Sequence, residues 1–227
     1  MAHEFPKTPL NKVKRLPEKG HYDAASIYAV VDAALICSVG YVIDGQVYVT
    51  PTMHARDGDQ ILLHGSRASR MLRHLDGGGA VCISVTIADA LVLARSIFEH
   101  SMNYRSATLF GHGTPVVGSA ARRAALQMFA ERMIPGRWND ARQPDEGELK
   151  QTTIVAVPIE SAAAKIADGM PTDNDADMDY PVWAGIIPMH HSYGVPVADP
   201  RTQPERPLPE YLRGLHPRSR VGSGTVA

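Results

Sequence analysis

The sequence of 227 residues is short of cysteine, of net charge and of long apolar runs, and each shortage excludes a class of protein. Its two cysteines, Cys37 and Cys82, lie in apolar stretches and indicate buried thiols of a reducing compartment rather than a disulfide scaffold. The formal net charge of −1 lacks the basic excess of nucleic-acid-binding domains, so we expect no nucleic-acid partner. No segment is long enough to span a bilayer and the N-terminus lacks a signal-peptide core, so we expect a cytoplasmic protein with no membrane partner.

Several common cofactor and metal motifs are also missing. The glycines at 77–79 follow a predicted helix rather than a strand and lack the spacing of a dinucleotide fingerprint. The alternating aspartates of residues 171–180 lack the glycine and the closing glutamate of a calcium loop, so we predict a solvated loop. His190 and His191 are adjacent and no cysteine or carboxylate completes a zinc pattern. We therefore predict no metal site.

The apolar share of 44% indicates a globular protein made mainly of short strands. An extended polar segment (residues 1–20) precedes one domain (21–190), and a proline-rich tail (191–227) follows it. The predicted strands cover residues 35–43, 46–50, 52–56, 60–64, 80–87, 90–96, 104–111, 152–159, 162–166 and 182–188. Asp44-Gly45 is a strong hairpin signal, and no regular βαβ alternation supports a Rossmann fold. The pattern predicts an antiparallel barrel with helices inserted, beginning at Asp23, Ser66 and Ser119.

Residues 61–73 predict a binding site for an anion. An apolar strand ends at Gly65, and a helix with an apolar stripe follows, with Ser66 as its predicted N-cap. A helix N-terminus favours an anion, serine hydroxyls donate to phosphate oxygens, and arginine binds them through two N–H groups. The polar side chains gathered here are those of Ser66, Arg67, Ser69 and Arg70. We interpret this segment, the Ser66–Arg70 cradle, as a phosphate site; the alternative is a capped helix with solvated arginines.

Five short segments, in this order, resemble the pyridoxamine 5′-phosphate oxidase-like FMN-binding split barrels. The resemblance is closest to their flavin-nucleotide-binding branch, which includes the nitroimidazole-resistance proteins. The segments are VIDGQVYVTPT (42–52), LHGS with SR (63–70), NYRS ahead of FG (103–111), PGRW (135–138) and VWAGIIP (182–188). The resemblance implies a mainly β fold, an antiparallel six-stranded split β-barrel that is dimeric, with FMN bound in clefts between the two subunits of a homodimer. It makes residues 21–190 the FMN-binding domain.

The resemblance also implies a role for individual residues. The strand around Thr50 lies against the flavin ring, Ser66 and Arg70 hold the phosphate, and Trp183 packs near the ring edge. Arg105 and its neighbours line the same cleft, as residues of the partner chain. The predicted cofactor-binding residues are Val49, Thr50, Pro51, His64, Ser66, Ser69, Arg70, Tyr104, Arg105, Ser106 and Trp183. For several of these residues the alternative is a purely structural role. His64 would only end a strand, and Arg105 would lie on the solvent-exposed face of one. Tyr104 would have a buried hydroxyl, and Trp183 would pack in the core or at an interface.

We therefore predict an FMN-dependent oxidoreductase acting on a small aromatic or nitro-bearing substrate, with the electron chemistry supplied by the flavin. No catalytic acid or base can be named. Two alternatives stay open: a haem-binding or haem-degrading protein with a histidine ligand, and a non-catalytic flavin carrier or sensor. Phosphate-binding residues favour flavin over haem, because haem has no phosphate. The sequence lacks the C-terminal arginine pattern of the vitamin-synthesising oxidases, so we do not predict oxidation of pyridoxine phosphate.

Overall fold

Antiparallel strands make up most of the computed structural model, which describes residues 3–203 and 206–213. The strands are β1 (Gly20–His21), β2 (Ile36–Ile43), β3 (Gln46–Met53), β4 (Ala55–Asp57), β5 (Gln60–Ser66), β6 (Ala80–Leu93), β7 (Ser101–His112), β8 (Thr114–Pro115), β9 (Thr152–Pro158), β10 (Ser161–Ala167) and β11 (Gly185–Pro188). The helices are α1 (Ala24–Ala33), α2 (Arg70–Asp76), α3 (Ser119–Met133), α4 (Arg137–Asp140), α5 (Glu146–Gln151) and α6 (Glu210–Arg213).

The predicted Asp44-Gly45 hairpin is confirmed. Both residues have positive φ, 50° and 78°, which is the backbone that a two-residue hairpin turn requires. β2 and β3 pair from Ile43↔Gln46 to Ile36↔Met53. Pro51 lies within β3, and it is tolerated there because β3 is the last strand of its sheet.

The larger sheet contains seven strands, in the order β1-β10-β7-β6-β2-β3, with β11 paired to β6. β6 is one strand of 14 residues, so the prediction of two strands over 80–96 was wrong. The pairing with β7 shifts register between Ala88 and Ala90. This β-bulge leaves Asp89 unpaired, and the pairing of the two strands continues on both sides of it. β7 begins at Ser101, three residues before the predicted start at 104, and the turn that precedes it lies at residues 94–100.

The smaller sheet has the order β4-β5-β9-β8. β10 pairs with β1 and β7 rather than with β9, the strand that precedes it in the sequence. The six-stranded count that the resemblance implied differs from this arrangement of a seven-stranded and a four-stranded sheet, because short strands extend both. Closure of the two sheets into a barrel stays a prediction.

One apolar core joins the two sheets. Its fully buried side chains include Ile61 and Leu63 of β5, Ile83 of β6 and Leu109 of β7, with α1 and α2 covering it. Burial of each such side chain contributes about 1.5–3 kcal/mol. A second cluster under α3 contains Phe129 and residues on the other face of β5 and β9. Side chains alternate between the two faces of β5. Leu63 therefore packs in the larger core, and Leu62 and His64 face α3.

Two helix starts differ from the predicted ones. Ser69, not Ser66, caps α2, because its Oγ accepts a hydrogen bond from the backbone N–H of Leu72 (3.3 Å). α3 begins at Ser119, but its N-cap is Gly118, with φ of 87°. Phe129 of α3 is buried, whereas Met133 at the end of the helix is exposed.

Both ends of the described chain pack on the domain. Phe5 is buried in the larger core, and Asn11 donates through Nδ2 to the carbonyl of Ala162 (2.9 Å). In the tail, the hydroxyl of Tyr211 donates to Asp140 of α4 (2.6 Å). The predicted extent of the tail reaches residue 227, and residues 204–205 and 214–227 lie outside the described residues.

The acidic loop is not wholly solvated as predicted. The side chain of Asp173 is 1% exposed and accepts hydrogen bonds from the backbone N–H groups of Arg95 (2.6 Å) and Ser96 (3.2 Å). Arg95 also forms an ion pair with it. This carboxylate holds the loop on the turn between β6 and β7.

Candidate functional site

The Ser66–Arg70 cradle connects β5 to α2, and its serines make local hydrogen bonds. Oγ of Ser66 accepts from the backbone N–H of Ala68 (3.2 Å), and the carbonyl of Ser66 accepts from the N–H of Ser69 (2.9 Å). Ser66 is exposed, and Leu72 and Leu75 behind it are buried in the larger core. The core thus fixes a short polar loop whose hydroxyls face outward from one end of β5.

An aromatic stack links the cradle to the predicted ring-binding strand β3. The guanidinium carbon of Arg70 lies 4.5 Å from the ring centroid of Tyr48, and Tyr48 stacks on Tyr41 with centroids 5.4 Å apart. The hydroxyl of Tyr41 is 3.3 Å from Oγ1 of Thr50. Among the described residues, no carboxylate forms an ion pair with Arg70. The structure therefore brings Thr50 and Arg70 of the predicted set together.

The other two predicted residues of β3 point away from the core. The side chains of Val49 and Pro51 are exposed, Val49 to 66%, because they alternate with the inward-facing Tyr48 and Thr50. An apolar strand face of this kind is available for a flat ring or for a second protein surface.

The predicted residues of β7 lie at the opposite end of the larger sheet. Arg105 pairs with Ile87 of β6, whereas α2 reaches Ala80 through Nε2 of His74, 3.2 Å from its carbonyl. Seven residues of extended strand separate Ile87 from Ala80, a distance of about 23 Å. Within one chain, Arg105 and Arg70 therefore do not meet at one phosphate.

Arg105 has a carboxylate partner. Its Nε and Nη2 donate to the two oxygens of Asp89 at 2.8 and 2.7 Å, and this pairing raises the pKa of the Arg105 guanidinium. On either side, Tyr104 is half-buried and Ser106 donates weakly through Oγ to the carbonyl of Lys165 (3.4 Å).

A cavity of about 380 Å³, the Arg105 cavity, lies beside this pair. The end of α1, the β6 bulge and the segment after β11 form its largely apolar wall. Met189 and His191 are among its lining residues. The sequence did not single out this cavity, because its walls come from three distant parts of the chain.

Trp183 lies just before β11, on the long arm formed by β6 and β7. Its side chain is 65% exposed, and its ring packs over Gly185, where an added Cβ would lie 2.7 Å from a ring carbon. β11 pairs with β6 from Gly185↔Leu93 to Pro188↔Ala90. Trp183 therefore lies beyond the Leu93 end of this pairing, whereas Met189, at the other end of β11, lines the Arg105 cavity.

Two histidines near the site pack within the fold, His54 buried and His64 half-buried. The ring of His64 packs on Phe129 with centroids 4.1 Å apart, and burial lowers the pKa of His64. His54 is 1% exposed, and burial lowers its pKa to about 4. Its Nε2 lies 3.0 Å from the carbonyl of Val31 and 3.3 Å from Arg132. His54 is thus a neutral structural residue at the Arg105 end.

A second cavity, of about 250 Å³, lies on the α3 side of the smaller sheet beside the cradle. We call it the Arg67–Lys150 cavity. Its lining residues are Arg67, Asp76, Arg122, Lys150, Thr152, Thr153 and Ile154. The sequence placed Arg67 in the cradle, but the basic residues of α3 and α5 were missed, because only the tertiary fold brings them to it.

Other features limit the chemistry. Among the described residues, no group of three or more histidine, cysteine or carboxylate side chains is placed to hold a metal ion. None of the described helices combines the length and the apolar character that crossing a bilayer requires. Cys37 is buried as predicted and Cys82 only partly so, and both thiols are free.

Comparisons with known proteins place this geometry in context. The family model described as pyridoxamine 5′-phosphate oxidase matches residues 23–166, more than half of the chain. The flavocytochrome Anf3 from Azotobacter vinelandii is 32% identical, with a TM-score of 0.86 over 93% of this chain and 98% of that one. An FAD- and haem-binding protein from Mycobacterium smegmatis is 35% identical, with a TM-score of 0.84 over 88% of this chain and 98% of that one.

A candidate 5-nitroimidazole antibiotic resistance protein from Bacteroides thetaiotaomicron shares the fold, at 21% identity and a TM-score of 0.53 over 63% of this chain and 84% of that one. No curated protein matches the sequence.

Proposed function

The chain belongs to the pyridoxamine 5′-phosphate oxidase family, as its resemblance predicted, and from that membership we propose that it is a flavin-binding redox protein. The observation that carries the proposal is the likeness over nearly the whole chain to two proteins described as a flavocytochrome and as FAD- and haem-binding. FMN is the flavin that the sequence predicts, and FAD is the one named for the Mycobacterium smegmatis protein.

The residues present suit a flavin nucleotide. The cradle offers exposed hydroxyls and a guanidinium that is held by an aromatic ring rather than by a carboxylate. In our proposal Arg70, Ser66 and Ser69 bind the phosphate, and the exposed face of β3 at Val49 and Pro51 lies along the ring. A bound flavin would supply reversible electron transfer, while the chain binds it, orients it and shields it from water.

The remaining predicted residues serve the same flavin only if a second chain supplies them. Arg105 lies opposite Ile87 of β6, about 23 Å along that strand from Ala80, which α2 of the same chain contacts. We therefore propose a homodimer in which Tyr104, Arg105 and Ser106 of one chain line the cleft that contains the cradle of the other. The exposed apolar side chains of Val49 and, at the β6–β7 turn, Phe98 support such an interface. Light scattering should give twice the mass of 24.6 kDa.

Haem is a second candidate ligand, favoured by the Arg105 cavity. That cavity has largely apolar walls, and histidine and methionine side chains of the types that ligate haem iron. If haem binds there, His191→Ala should abolish or shift the Soret band, whereas His190→Ala should leave it unchanged. His190 is the matched control, because it is exposed and does not line the cavity.

We propose that the protein is an oxidoreductase of the cytoplasm acting on a small aromatic or nitro-bearing substrate. The absorption spectrum of the purified protein tests the cofactor: two flavin bands in the visible and near ultraviolet support the proposal, and a Soret band adds haem. Anaerobic reduction by NADH or NADPH, followed by reoxidation with nitroaromatic compounds, tests the activity. A flavin that no substrate reoxidises would instead indicate a carrier or sensor.

A further inference from the structure

The Arg67–Lys150 cavity collects positive charge that the chain does not neutralise. Arg67, Arg122 and Lys150 line it together with a single carboxylate, that of Asp76. In the described part of the chain, none of these three cations lies within 4 Å of a carboxylate oxygen. Three cations around one small cavity repel each other, so an anionic ligand would stabilise the arrangement.

The cavity is shaped by the backbone as well as by charge. Nε of Arg122 donates to the carbonyl of Val116 (3.0 Å) and its Nη1 to that of Leu149 (3.3 Å). These bonds hold the guanidinium of Arg122 near the start of β9. Among the described residues, its Nη2 has no hydrogen-bond partner. Thr152 and Thr153 complete the lining. The hydroxyl of Thr152 donates to the carbonyl of Glu148 (2.9 Å), so the further hydroxyl donor comes from Thr153.

The cavity adjoins the cradle. Ser66 pairs directly with Thr152, and Gly65 with Thr153, at the end of the β5–β9 ladder. Directly opposed residues of an antiparallel pair project to the same face, with Cβ atoms about 5 Å apart. The side chains of Ser66 and of Thr152, which lines the cavity, are therefore on one side of the smaller sheet.

We propose that the Arg67–Lys150 cavity binds a phosphoryl group. Guanidinium, ammonium and hydroxyl donors around a small polar cavity match the acceptor oxygens of a phosphate. The group has two possible sources: the second phosphate of a dinucleotide flavin whose first phosphate lies in the cradle, or the phosphate of a separate ligand. The first source rests on the proposed flavin site, and the second does not.

The test compares the full-length protein with Lys150→Gln and, as a control of equal charge change, Lys14→Gln. Lys14 is exposed and lies outside the cavity. Arg122 is left intact, because its two bonds to carbonyls also hold the fold. Calorimetry measures the affinities for FAD, FMN and inorganic pyrophosphate. Loss of one charge-assisted contact should weaken binding about tenfold.

If FAD binds the unmodified protein more tightly than FMN, and Lys150→Gln removes that preference, the cavity holds the second flavin phosphate. If the two flavins bind equally, or not at all, and pyrophosphate binds about tenfold more weakly to Lys150→Gln, the cavity serves a separate ligand. Lys14→Gln should behave as the unmodified protein in both cases. Identical affinities of Lys150→Gln and Lys14→Gln for FAD and for pyrophosphate would overturn the proposal.

Discussion

The two ends of the larger sheet use their charged residues differently. At one end, Arg105 pairs with Asp89, and Arg132 contacts the carbonyls of Val31 and Ala34 beside His54. At the other end, Arg70 rests on the ring of Tyr48, and the described residues give it no carboxylate partner. Charge that is neutralised within the chain stabilises the fold, whereas charge held by an aromatic face stays available to a ligand. The comparison therefore supports our proposal that phosphate is recognised at the cradle end.

The largest expected effect is on stability in acid, at the Arg105 end. Burial keeps His54 neutral, with a pKa of about 4 against 6.5 for the unfolded chain, so the unfolded state binds the extra proton between these values. The stability contribution is complete above pH 6.5 and is lost as the pH falls to 4, by about 3 kcal/mol. Urea unfolding from pH 7 to 4 should show this loss in the unmodified protein and less of it in His54→Gln.

The next effect concerns the pair of Arg105 and Asp89. Their side chains are 24% and 25% exposed, so Arg105→Leu leaves a half-buried carboxylate without its partner and should cost about 2 kcal/mol. Urea unfolding at pH 7 measures this, and adding Asp89→Asn should restore part of the loss. An unchanged urea midpoint in Arg105→Leu would show that the ion pair at this end of the sheet does not stabilise the fold.

At the cradle end, Arg70→Ala should weaken FMN binding about tenfold while changing stability by only about 0.5–1 kcal/mol, because the cation–π contact is exposed. Flavin fluorescence titration and urea unfolding measure the two quantities. Arg73→Ala is the matched control, since Arg73 is an exposed arginine of the same helix. Equal FMN affinity in the two variants would remove Arg70 from the site.

The smallest expected effect tests whether the ring of Trp183 packs on Gly185. In Gly185→Ala the new methyl would overlap the indole ring, which is free to swing toward solvent, so we expect a shifted tryptophan emission and a stability loss below about 1 kcal/mol. Gly194→Ala is the control, because no atom lies within 4 Å of its added Cβ. Identical emission from both variants would contradict the packing of the ring on Gly185.

Much of the fold was predictable where local rules decide it. Asp44-Gly45 specified a turn with two positive φ values, and the apolar run before Gly65 predicted the strand that is β5. The errors arose where pairing overrides local preference. Two strands were predicted over residues 80–96, but pairing with β7 and β11 carries β6 through a bulge near Asp89 as one strand. Ser66 was as good a cap as Ser69 by sequence, and only the length of β5 decides between them.

The site was predictable in part for the same reason. Its contiguous piece, the cradle, was visible because Ser66 and Arg70 are close in sequence. The stack of Arg70 on Tyr48 joins it to β3 across 22 positions of sequence, which no local pattern shows. Arg122 and Lys150 were missed because helices far along the chain carry them to the cradle.

The central claim is that the cradle recognises the phosphate of a flavin nucleotide. Binding of riboflavin, which lacks that phosphate, compared with binding of FMN tests it most directly. The account predicts that the unmodified protein binds FMN at least about tenfold more tightly than riboflavin, and that the ratio falls toward one in Arg70→Ala. Equal affinity of the unmodified protein for FMN and riboflavin would contradict it.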